Sequence, residues 1–399
     1  RTMIPVEEAR SRIIGTFDCL AAEQVAISQA AGRVLAQDVV SRITKPPHPV
    51  SAMDGYAVRA SDVADVPVTL RVVGEAPAGG AYDAALNPGE AVRIFTGGPV
   101  PDGADSIVIQ ENTERDGISV TVTVSVSQGR FVRRQGLDFS AGDAGPPAGR
   151  KLGPREIGLI AAMNVPWLKV TRRPRVAILG TGDEIVMPGE SLGPNQIISS
   201  NSLALAAIVA DAGGEPMSLG IVRDDEEALR SIVEGAARSD LLVVTGGMSV
   251  GEHDLVRKVL AKEGLTLDFW KIAMRPGKPL AFGELGDLPV LGFPGNPVST
   301  LVCGHLFLRP AIAAMLGETG DGLDEDVATL GAEMRSNDER QDYVRARLER
   351  AGDGGFTATP FDRQDSSMLA TLSQSGCLIV RPPHAEPAQT GDRVRIVRL

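Results

Sequence analysis

The residues between 173 and 320 alternate short apolar runs with amphipathic segments, and this alternation is what most constrains the fold. The runs RVAIL (175–179), LLVV (241–244) and VLGF (290–293) are apolar at almost every position, which is typical of strands buried on both faces. Segments with helical spacing lie between them, as in NSLALAAIVADAGG (201–214). Repeated strand, loop and helix predict a doubly wound parallel sheet, because parallel neighbours are joined by crossover helices.

The pattern of residues outside this stretch divides the rest of the chain. A chain of 399 residues is too long for one compact core. Helical signals dominate both ends of the first half, and a segment rich in proline, glycine and short strand patterns separates them. We therefore predict a split helical domain (1–45 and 140–172), a β-rich insertion (46–139), an α/β domain (173–320) and a small, barrel-like C-terminal β domain (321–399).

Composition narrows the choice of partner. The net charge of -11, the pI of about 5.0 and the aromatic content of 4% argue against binding to nucleic acid or to an anionic membrane. No apolar run reaches the ~18 residues that a membrane-spanning helix needs. Cys19, Cys303 and Cys377 are too far apart for a zinc site and odd in number for a disulfide framework, so we expect a cytoplasmic location.

Four unusual loops are predicted at one edge of the parallel sheet: GTGDE (180–184), TGGMSVGEHD (245–254), RPGKP (275–279) and FPGNPVS (293–299). Ligands of open parallel sheets bind outside the carboxyl ends of the strands. Glycine lets the backbone approach a ligand closely, and a helix that begins behind the loop favours an anion. The second loop is therefore a candidate phosphate cradle, made by Gly246, Gly247, Ser249 and Gly251.

Charged side chains are concentrated along the same rim. The acids on the predicted rim are Asp183, Glu184, Asp224, Asp225, Glu252 and Asp254. Carboxylates beside a phosphate are consistent with a bridging Mg²⁺, which prefers oxygen ligands. Arg275 and Lys278 are two cations in one tight loop, and such a pair can hold a phosphate or another tetrahedral oxyanion.

Each of these loops also has a purely structural explanation. Asp254 and Asp225 are placed to cap helices, and RPGKP alone is consistent with a tight hairpin. In the insertion, Asp54 and Gly55 of SAMDGYAV form a favourable turn pair. Four such loops on one rim favour a ligand site, because their shared placement carries more weight than any single residue.

Six segments along the chain resemble one known family. They occur in the order PHPVSAMDGYAV, RIFTGGPVPDGAD, TGDEIVMPG, TGGMSVGEHD, AMRPGKPLAFG and GFPGNPVS. The ordered set resembles the molybdopterin molybdenumtransferase family, which includes bacterial MoeA and the E domain of gephyrin, over nearly the whole chain. The resemblance implies an elongated homodimer of four-domain subunits, with molybdopterin bound by the α/β domain. It also implies the insertion of molybdate into adenylylated molybdopterin, with Mg²⁺ required and AMP released.

The resemblance assigns roles to individual rim residues. The residues implied in binding the phosphate or adenylyl end of the ligand are Thr181, Gly182, Gly246, Gly247, Ser249 and Gly251. Glu184, Asp224 and Asp254 match functional acids that organise Mg²⁺. Lys278 and Ser299 match the molybdate-binding region, where Arg275 replaces a common lysine. Arg340 or Arg345, and Ser366 or Ser367, complete the oxyanion site from the last domain, and sequence does not choose within either pair.

Three further residues match functional positions from outside the α/β domain. Asp54 and Thr96 belong to the β-rich insertion, so they are expected to reach the active site only across a dimer. Asp138 also aligns with a functional acid, but Leu137 replaces the glutamate that the family usually has before it.

Two alternative functions stay open at the level of sequence. One is a molybdopterin adenylyltransferase that uses ATP on the same α/β fold, although the additional β domains and PGNPVS argue against it. The other is a dimeric scaffold, although the retained acids and Lys278 favour catalysis. The expected partners are a second copy of the chain, a molybdopterin adenylyltransferase and proteins that mature molybdoenzymes. Molybdate and tungstate are not distinguished.

Overall fold

The structure is a computed structural model that describes residues 3–77, 79–222, 225–246, 255–352 and 354–399. The chain begins with helix α1 (Val6–Gly15), followed by strand β1 (Ala22–Ala26). The buried residues of α1, which include Val6 and Ile13, pack into the core of the α/β domain. We predicted helical structure to residue 45, and this is wrong beyond α1. The segment AEQVA instead forms strand β1, which pairs with a later strand over Trp167–Thr171.

The insertion is a β module, as predicted. Its strands are β2 (Val50–Ser51), β3 (Gly55–Val58), β4 (Val68–Ala76), β5 (Glu90–Ile94), β6 (Ser106–Ile109), β7 (Thr113–Asp116), β8 (Ser119–Val122) and β9 (Val132–Arg133). Six of them form one sheet in the order β6-β3-β5-β4-β8-β7, and β2 pairs with β9. The alternating residues ISVTVTVSV (118–126) predict one half-buried strand. The strand is shorter in the structure, where β8 pairs with β4 and β7.

The two flanks of the insertion pack together. After the insertion come α2 (Pro154–Ala162) and β10 (Trp167–Thr171), and β10 pairs with β1 in antiparallel register. Leu35 and Val39 from the first flank share one buried cluster with Ile160 and Val170 from the second. The domain boundaries that we drew in the sequence stay predictions.

The α/β domain contains most of the helices. Its elements are β11 (Arg175–Thr181), β12 (Ile185–Val186), β13 (Ile197–Ile198), α3 (Asn201–Asp211), β14 (Glu215–Val222), α4 (Glu226–Ala236), β15 (Leu241–Thr245), α5 (Leu255–Lys262), β16 (Leu265–Phe269), β17 (Met274–Arg275), β18 (Ala281–Leu285), β19 (Leu288–Phe293), α6 (Pro297–Cys303) and α7 (Arg309–Leu316). A π-helical turn (Gly304–Leu308) joins α6 to α7.

The sheet of this domain is doubly wound, which confirms the predicted fold class. Its order is β14-β11-β15-β19-β18-β16, with β14, β11, β15 and β19 parallel. The chain order reverses between β11 and β15, and ligands of such sheets bind at that point. Strand β18 is antiparallel to both of its neighbours, and Ala281 lies opposite Gly292. The amino end of β18 therefore lies at the same edge as the carboxyl ends of the parallel strands.

One helical run exceeds the apolar length that we expected from the sequence. The run Pro297–Leu316 is long and apolar enough to cross a membrane by length and composition alone. However, 78% of its most apolar window is buried inside the protein, where it packs in the largest core cluster. Its apolar character is therefore explained by the core of this domain.

The C-terminal domain is a closed barrel, as predicted. It is formed by β20 (Glu325–Leu330), β21 (Gln341–Arg350), β22 (Phe356–Pro360), β23 (Cys377–Arg381) and β24 (Arg393–Arg398), with a short helix α8 (Leu369–Ser373). The pairings run β21-β22-β20-β24-β23 and close when β23 pairs with β21. Strand β17 of the preceding domain adds to β21 in parallel register.

Candidate active site

The switch point of the α/β sheet has a close approach between two strand ends. The Thr181 hydroxyl donates to the carbonyl of Thr245 at 3.4 Å. Gly246 has φ +84, and a Cβ atom there would lie 2.5 Å from the Thr181 carbonyl oxygen. A side chain at position 246 is therefore excluded. The Gly182 N–H donates to the Val222 carbonyl at 3.3 Å, so this N–H is not directed at a ligand as we had expected.

Asn201 ties three parts of the rim together. Its side-chain amide donates to the Thr245 hydroxyl at 3.1 Å and to the Gly295 carbonyl at 2.8 Å. Asparagine before an apolar periodic segment predicts a helix cap, but the cap position of α3 is Ser200, which makes no side-chain capping bond. Sequence reasoning missed the joining role of Asn201, because its partners come from loops far away in the chain.

Several predicted site residues lie outside the described residues: Asp224, Gly247, Ser249, Gly251, Glu252 and Asp254. Of the predicted acids, Glu184 is exposed, and its carboxylate folds back under Gly182. Asp225 accepts a bond from the Ala228 N–H at 2.8 Å and is the N-cap of α4. The structural explanation is therefore confirmed for Asp225.

Lys278 lies on the rim between two sheets. Its carbonyl accepts from the Ile272 N–H at 3.0 Å, which closes the RPGKP loop. Gly277 has φ +115, and a Cβ atom there would lie 2.5 Å from the buried Cys303 sulfur, so the loop rests directly on α6. The Lys278 side chain is exposed and has no ion-pair partner within the part of the chain that the structure describes.

Arg275 is engaged with the barrel, which our molybdate assignment did not anticipate. Its Nε and Nη2 donate to the two carboxylate oxygens of Asp342 at 2.8 and 2.7 Å. Its Nη1 lies 3.2 Å from Asp338, and Nη2 also donates to Asn337 at 3.1 Å. The hydrogen bonds to Asp342 raise the pKa of Arg275. A guanidinium with four protein acceptors is poorly placed to bind an additional anion.

The structure separates the two arginines that sequence left open. Arg340 is paired, since its Nη2 donates to Asp338 at 2.8 Å and its backbone N–H to the same carboxylate at 2.9 Å. Arg345 is only 1% exposed, and its Nε and Nη2 have no hydrogen-bond partner among the described residues. Burial lowers the pKa of Arg345, and the charge of Asp365 opposes this shift. Arg345 is therefore the better candidate for an anion ligand.

The two serines are separated in the same way. The Ser366 hydroxyl accepts from the Asn296 amide at 3.0 Å, and its carbonyl accepts from the Val298 N–H at 3.1 Å. Ser367 instead donates to Asp365 at 2.5 Å. Ser366 thus lies at the start of α6.

Gln364 connects Arg345 to this segment. Its Oε1 accepts from the Arg345 N–H at 2.9 Å, and its Nε2 donates to the Arg345 carbonyl at 3.0 Å. Ser299, in the first turn of α6, is 4% exposed. The barrel therefore brings Ser366 to the α/β rim, and Gln364 fixes the Arg345 backbone to the same segment.

Asp54 and Thr96 form a pair on the surface of the insertion. One carboxylate oxygen of Asp54 accepts from both the N–H and the hydroxyl of Thr96, at 2.7 and 2.8 Å. The hydrogen bond from the Thr96 backbone lowers the pKa of Asp54, and the hydroxyl adds to this shift. Both side chains are exposed, so the carboxylate is held ionised on an open surface.

Asp138 lies where the insertion rejoins its flanks. Its carboxylate is 3.3 Å from the Lys45 ammonium, with both side chains about half exposed. Leu137 beside it is 52% exposed. No hydrogen bond or ion pair between described residues joins residues 46–139 to residues 173–399. Within one subunit, Asp54 and Thr96 are therefore not bonded to the α/β rim.

Comparison with known proteins identifies the three regions of the chain. Family models match residues 4–164 as the MoeA N-terminal region, 177–314 as a probable molybdopterin binding domain and 327–399 as the MoeA C-terminal region. A molybdopterin molybdenumtransferase of a Nostoc species is 38% identical over 94% of this chain and 88% of its own length. The chain belongs to the molybdopterin molybdenumtransferase family.

Other relatives extend this match to full length and to solved structures. A molybdopterin molybdenumtransferase of Haemophilus influenzae is 32% identical over 99% of this chain and 98% of its own length. A crystal structure of a MoeA protein from Pyrococcus horikoshii superposes with a TM-score of 0.88 at 27% identity, and it covers 100% of both chains. The resemblance we found in the sequence is therefore confirmed at the level of family and fold.

Proposed function

We propose that this protein inserts molybdate into adenylylated molybdopterin, with release of AMP, to give molybdenum cofactor. The observation that carries the proposal is the buried Arg345 guanidinium, whose Nε and Nη2 lack partners among the described residues. A buried donor without a partner costs about 1–3 kcal/mol, and more when it is charged. A tetrahedral oxyanion is a ligand that would satisfy two neighbouring N–H groups.

The proposed molybdate site combines residues of two domains. Arg345 and Ser366 come from the barrel, and Lys278 and Ser299 come from the α/β domain. Lys278 contributes a charge without an ion-pair partner in the described part of the chain, and Ser366 lies at the start of α6. The charge of the buried Arg345 acts more strongly than it would in water. We leave Arg275 out of this set, because its hydrogen bonds go to the barrel.

The pterin phosphate and adenylyl group are proposed to lie at the switch point of the sheet. Thr181 and Gly246 form its described part, and the family resemblance adds Gly247, Ser249 and Gly251. Gly246 is required there by the approach of the Thr181 carbonyl. The Gly182 amide is removed from the proposed set because it bonds within the sheet.

Mg²⁺ is proposed as the cofactor on the resemblance alone. Of its three proposed ligands, Glu184, Asp224 and Asp254, only Glu184 is among the described residues. Those residues include no group of three or more histidine, cysteine, aspartate or glutamate side chains that could hold a metal. One carboxylate does not make a magnesium site.

The proposed mechanism is positioning rather than covalent catalysis. Arg345 and Lys278 hold molybdate by charge, and Ser366 and Ser299 orient it by hydrogen bonds. The glycine loops fix the phosphate end of the second substrate, so the reacting groups meet in one geometry. Cleavage of the phosphoanhydride releases AMP and makes insertion effectively irreversible.

A homodimer completes the proposed site. Asp54, Thr96 and Asp138 match functional positions, yet the pair of Asp54 and Thr96 is not bonded to the rim of its own subunit. A closed two-fold dimer can bring the insertion of one subunit to the rim of the other. We propose that this is how the residues act, and that the dimer works in the cytoplasm with an adenylyltransferase as supplier and maturation proteins as recipients.

A scaffold without catalysis and an adenylyltransferase are the alternatives. A scaffold has no need for a buried arginine with unpaired donors. An adenylyltransferase on the α/β fold has no need for Arg345 and Ser366 of the barrel. Both observations favour the transferase, and neither distinguishes molybdate from tungstate.

The test is turnover of purified protein with adenylylated molybdopterin and Mg²⁺, with molybdate, tungstate or buffer. AMP and active cofactor are measured together. Molybdate-dependent AMP release with cofactor formation is expected. Tight binding of the pterin without AMP release would support the scaffold, and formation of ATP and molybdopterin from adenylylated molybdopterin and added pyrophosphate would support the adenylyltransferase. Omission of Mg²⁺, followed by its return, tests the cofactor separately.

A further inference from the structure

The loop that carries Lys278 is anchored in two domains. At its start, Arg275 lies in β17 and pairs with Asp342 of β21 in the barrel. At its end, Ala281 opens β18 in the α/β sheet. The hydrogen bond from the Ile272 N–H to the Lys278 carbonyl closes the loop between these anchors. The position of Lys278 therefore depends on how the barrel is held against the α/β domain.

The side chain of Arg275 makes the strongest polar contact at the first anchor. Its two bonds to Asp342, at 2.8 and 2.7 Å, have the forked geometry that arginine and carboxylate share. Asp342 is 17% exposed, so this ion pair is partly shielded from water. Asp338 adds a weaker contact at 3.2 Å. Lysine, which is common at this family position, cannot make the fork.

The charges around Arg275 do not resemble an oxyanion site. Asp342 and Asp338 supply two carboxylates, and Arg275 and Arg340 supply two guanidinium groups, so the cluster is close to neutral. The hydrogen bond from Arg340 lowers the pKa of Asp338 to about 2, which keeps that carboxylate ionised. The carboxylates of Asp342 and Asp338 contact Arg275 directly, so they would repel a dianion that approached its guanidinium. Arg345 differs, since its Nε and Nη2 have no partner among the described residues.

We propose that Arg275 and Asp342 form a latch between the α/β domain and the barrel that positions Lys278. In this inference Asp342 is a positioning residue, and Arg275 is not a ligand of the oxyanion. The inference rests on the proposed function, because the role of Lys278 belongs to it. The inference applies to this chain, in which arginine replaces the common lysine and donates to both carboxylate oxygens of Asp342.

The test is the KM for molybdate and the kcat of AMP release in Asp342→Asn, Arg275→Lys and the double variant. A latch predicts that each single change raises the molybdate KM by roughly 10-fold or more, since small misplacements are costly. The double variant is expected to be no worse than the poorer single variant, because both changes open one contact. Glu263→Gln, which breaks the ion pair with Arg230 elsewhere in the α/β domain, is the matched control and is expected to change neither constant.

The opposite result has a clear signature. If Arg275 binds the oxyanion directly, Asp342→Asn removes a competing negative charge and lowers or leaves the molybdate KM, while Arg275→Lys raises it. That result overturns the latch. Asp338→Asn, which leaves the fork intact, is the second variant, and a rise as large as that of Asp342→Asn also contradicts the proposal.

Failure of the proposed function is distinguishable from failure of the latch. Wild-type protein without molybdate-dependent AMP release, in the same assay, contradicts the function. In that case the latch is still tested by thermal unfolding of the wild type, the two single variants Arg275→Lys and Asp342→Asn, and the double variant. Additive shifts of the melting temperature for Arg275→Lys and Asp342→Asn show that the two side chains do not act together and overturn the latch.

Discussion

The rim of the α/β sheet and the surface pair of Asp54 and Thr96 are built in different ways. The rim is held by contacts from several directions, as Asn201 bonds to two loops and Ser366 joins the barrel to α6. Among the described residues, the pair in the insertion has hydrogen bonds within its own module alone, and its carboxylate faces solvent. This difference is consistent with our proposal that the rim forms a site inside one subunit and that the pair contributes to the site of another. The rim needs a fixed geometry, and the pair needs an accessible surface.

The largest expected effect tests whether the two regions work across a dimer. Lys278→Ala and Asp54→Ala are each expected to abolish turnover alone. Mixing the two after dissociation and re-association is expected to restore about a quarter of wild-type activity, because about half of the dimers are mixed and each has one intact site. AMP release by the mixture is the measurement.

A second mixture provides the control. Lys278→Ala and Arg345→Met fall in the same proposed site of one subunit, so every site in their mixed dimers carries a lesion, and the mixture is expected to stay inactive. Recovery in this control, or none in the first mixture, contradicts the division between the two regions.

The next effect separates function from stability at the rim. Arg345→Met removes a buried guanidinium with unpaired donors and is expected to raise the unfolding free energy by about 1–3 kcal/mol. The same change is expected to abolish molybdate-dependent AMP release. Denaturant unfolding and turnover are measured on one preparation.

Arg340→Met is the matched comparison, because Arg340 is paired with Asp338. It is expected to lower stability, since it leaves a carboxylate without one of its partners. A loss of stability in Arg345→Met would mean that the guanidinium supports the fold, and the assignment of Arg345 to the oxyanion would fail.

The contrast between these two arginines shows what sequence can predict here. The strands of the α/β domain follow from their apolar runs, and the rim loops follow from the strand ends, so both were predicted. Burial of Arg345 depends on β21, where Gln341, Tyr343 and Arg345 alternate on one buried face. The partner of Arg275 is 67 positions away, at Asp342. No local pattern indicates such a contact. The assignment of Arg275 to molybdate came instead from the two cations of the RPGKP loop and from the family resemblance.

The direction of one strand was also beyond sequence. RPGKP reaches the rim because β18 is antiparallel to its neighbours, so the loop before the strand lies where the loops after the others lie. The segment AFGEL does not encode its own direction, which is set by pairing with β16 and β19. RPGKP therefore lies at the predicted edge of the sheet, but it precedes an antiparallel strand and does not follow a parallel one.

A smaller effect tests how rigidly the rim is built. Gly277→Ala places a Cβ atom 2.5 Å from the Cys303 sulfur at φ +115, and we expect a loss of about 1–3 kcal/mol in unfolding free energy. Gly295→Ala, in a neighbouring rim loop, meets nothing within 4 Å and is expected to stay within about 0.5 kcal/mol. Adding Cys303→Ala to Gly277→Ala is expected to restore part of the loss, because it removes the clash but not the backbone strain. Equal losses of unfolding free energy in Gly277→Ala and Gly295→Ala would show that the RPGKP loop shifts to accommodate the added Cβ atom.

The smallest expected effect concerns the region of the insertion that departs from the family. Leu137 is 52% exposed and lies beside Asp138, so Leu137→Glu restores the common family residue without removing a packed side chain. The unfolding free energy is expected to change by no more than about 0.5 kcal/mol, because surface changes of this kind are nearly neutral. If the segment acts on the site of the other subunit, kcat/KM is expected to change by less than about tenfold, while the unfolding free energy does not change. A loss of more than about 1 kcal/mol in unfolding free energy would instead mean that Leu137 stabilises the junction between the insertion and its flanks. The segment would then be held by packing from several directions, as the rim is.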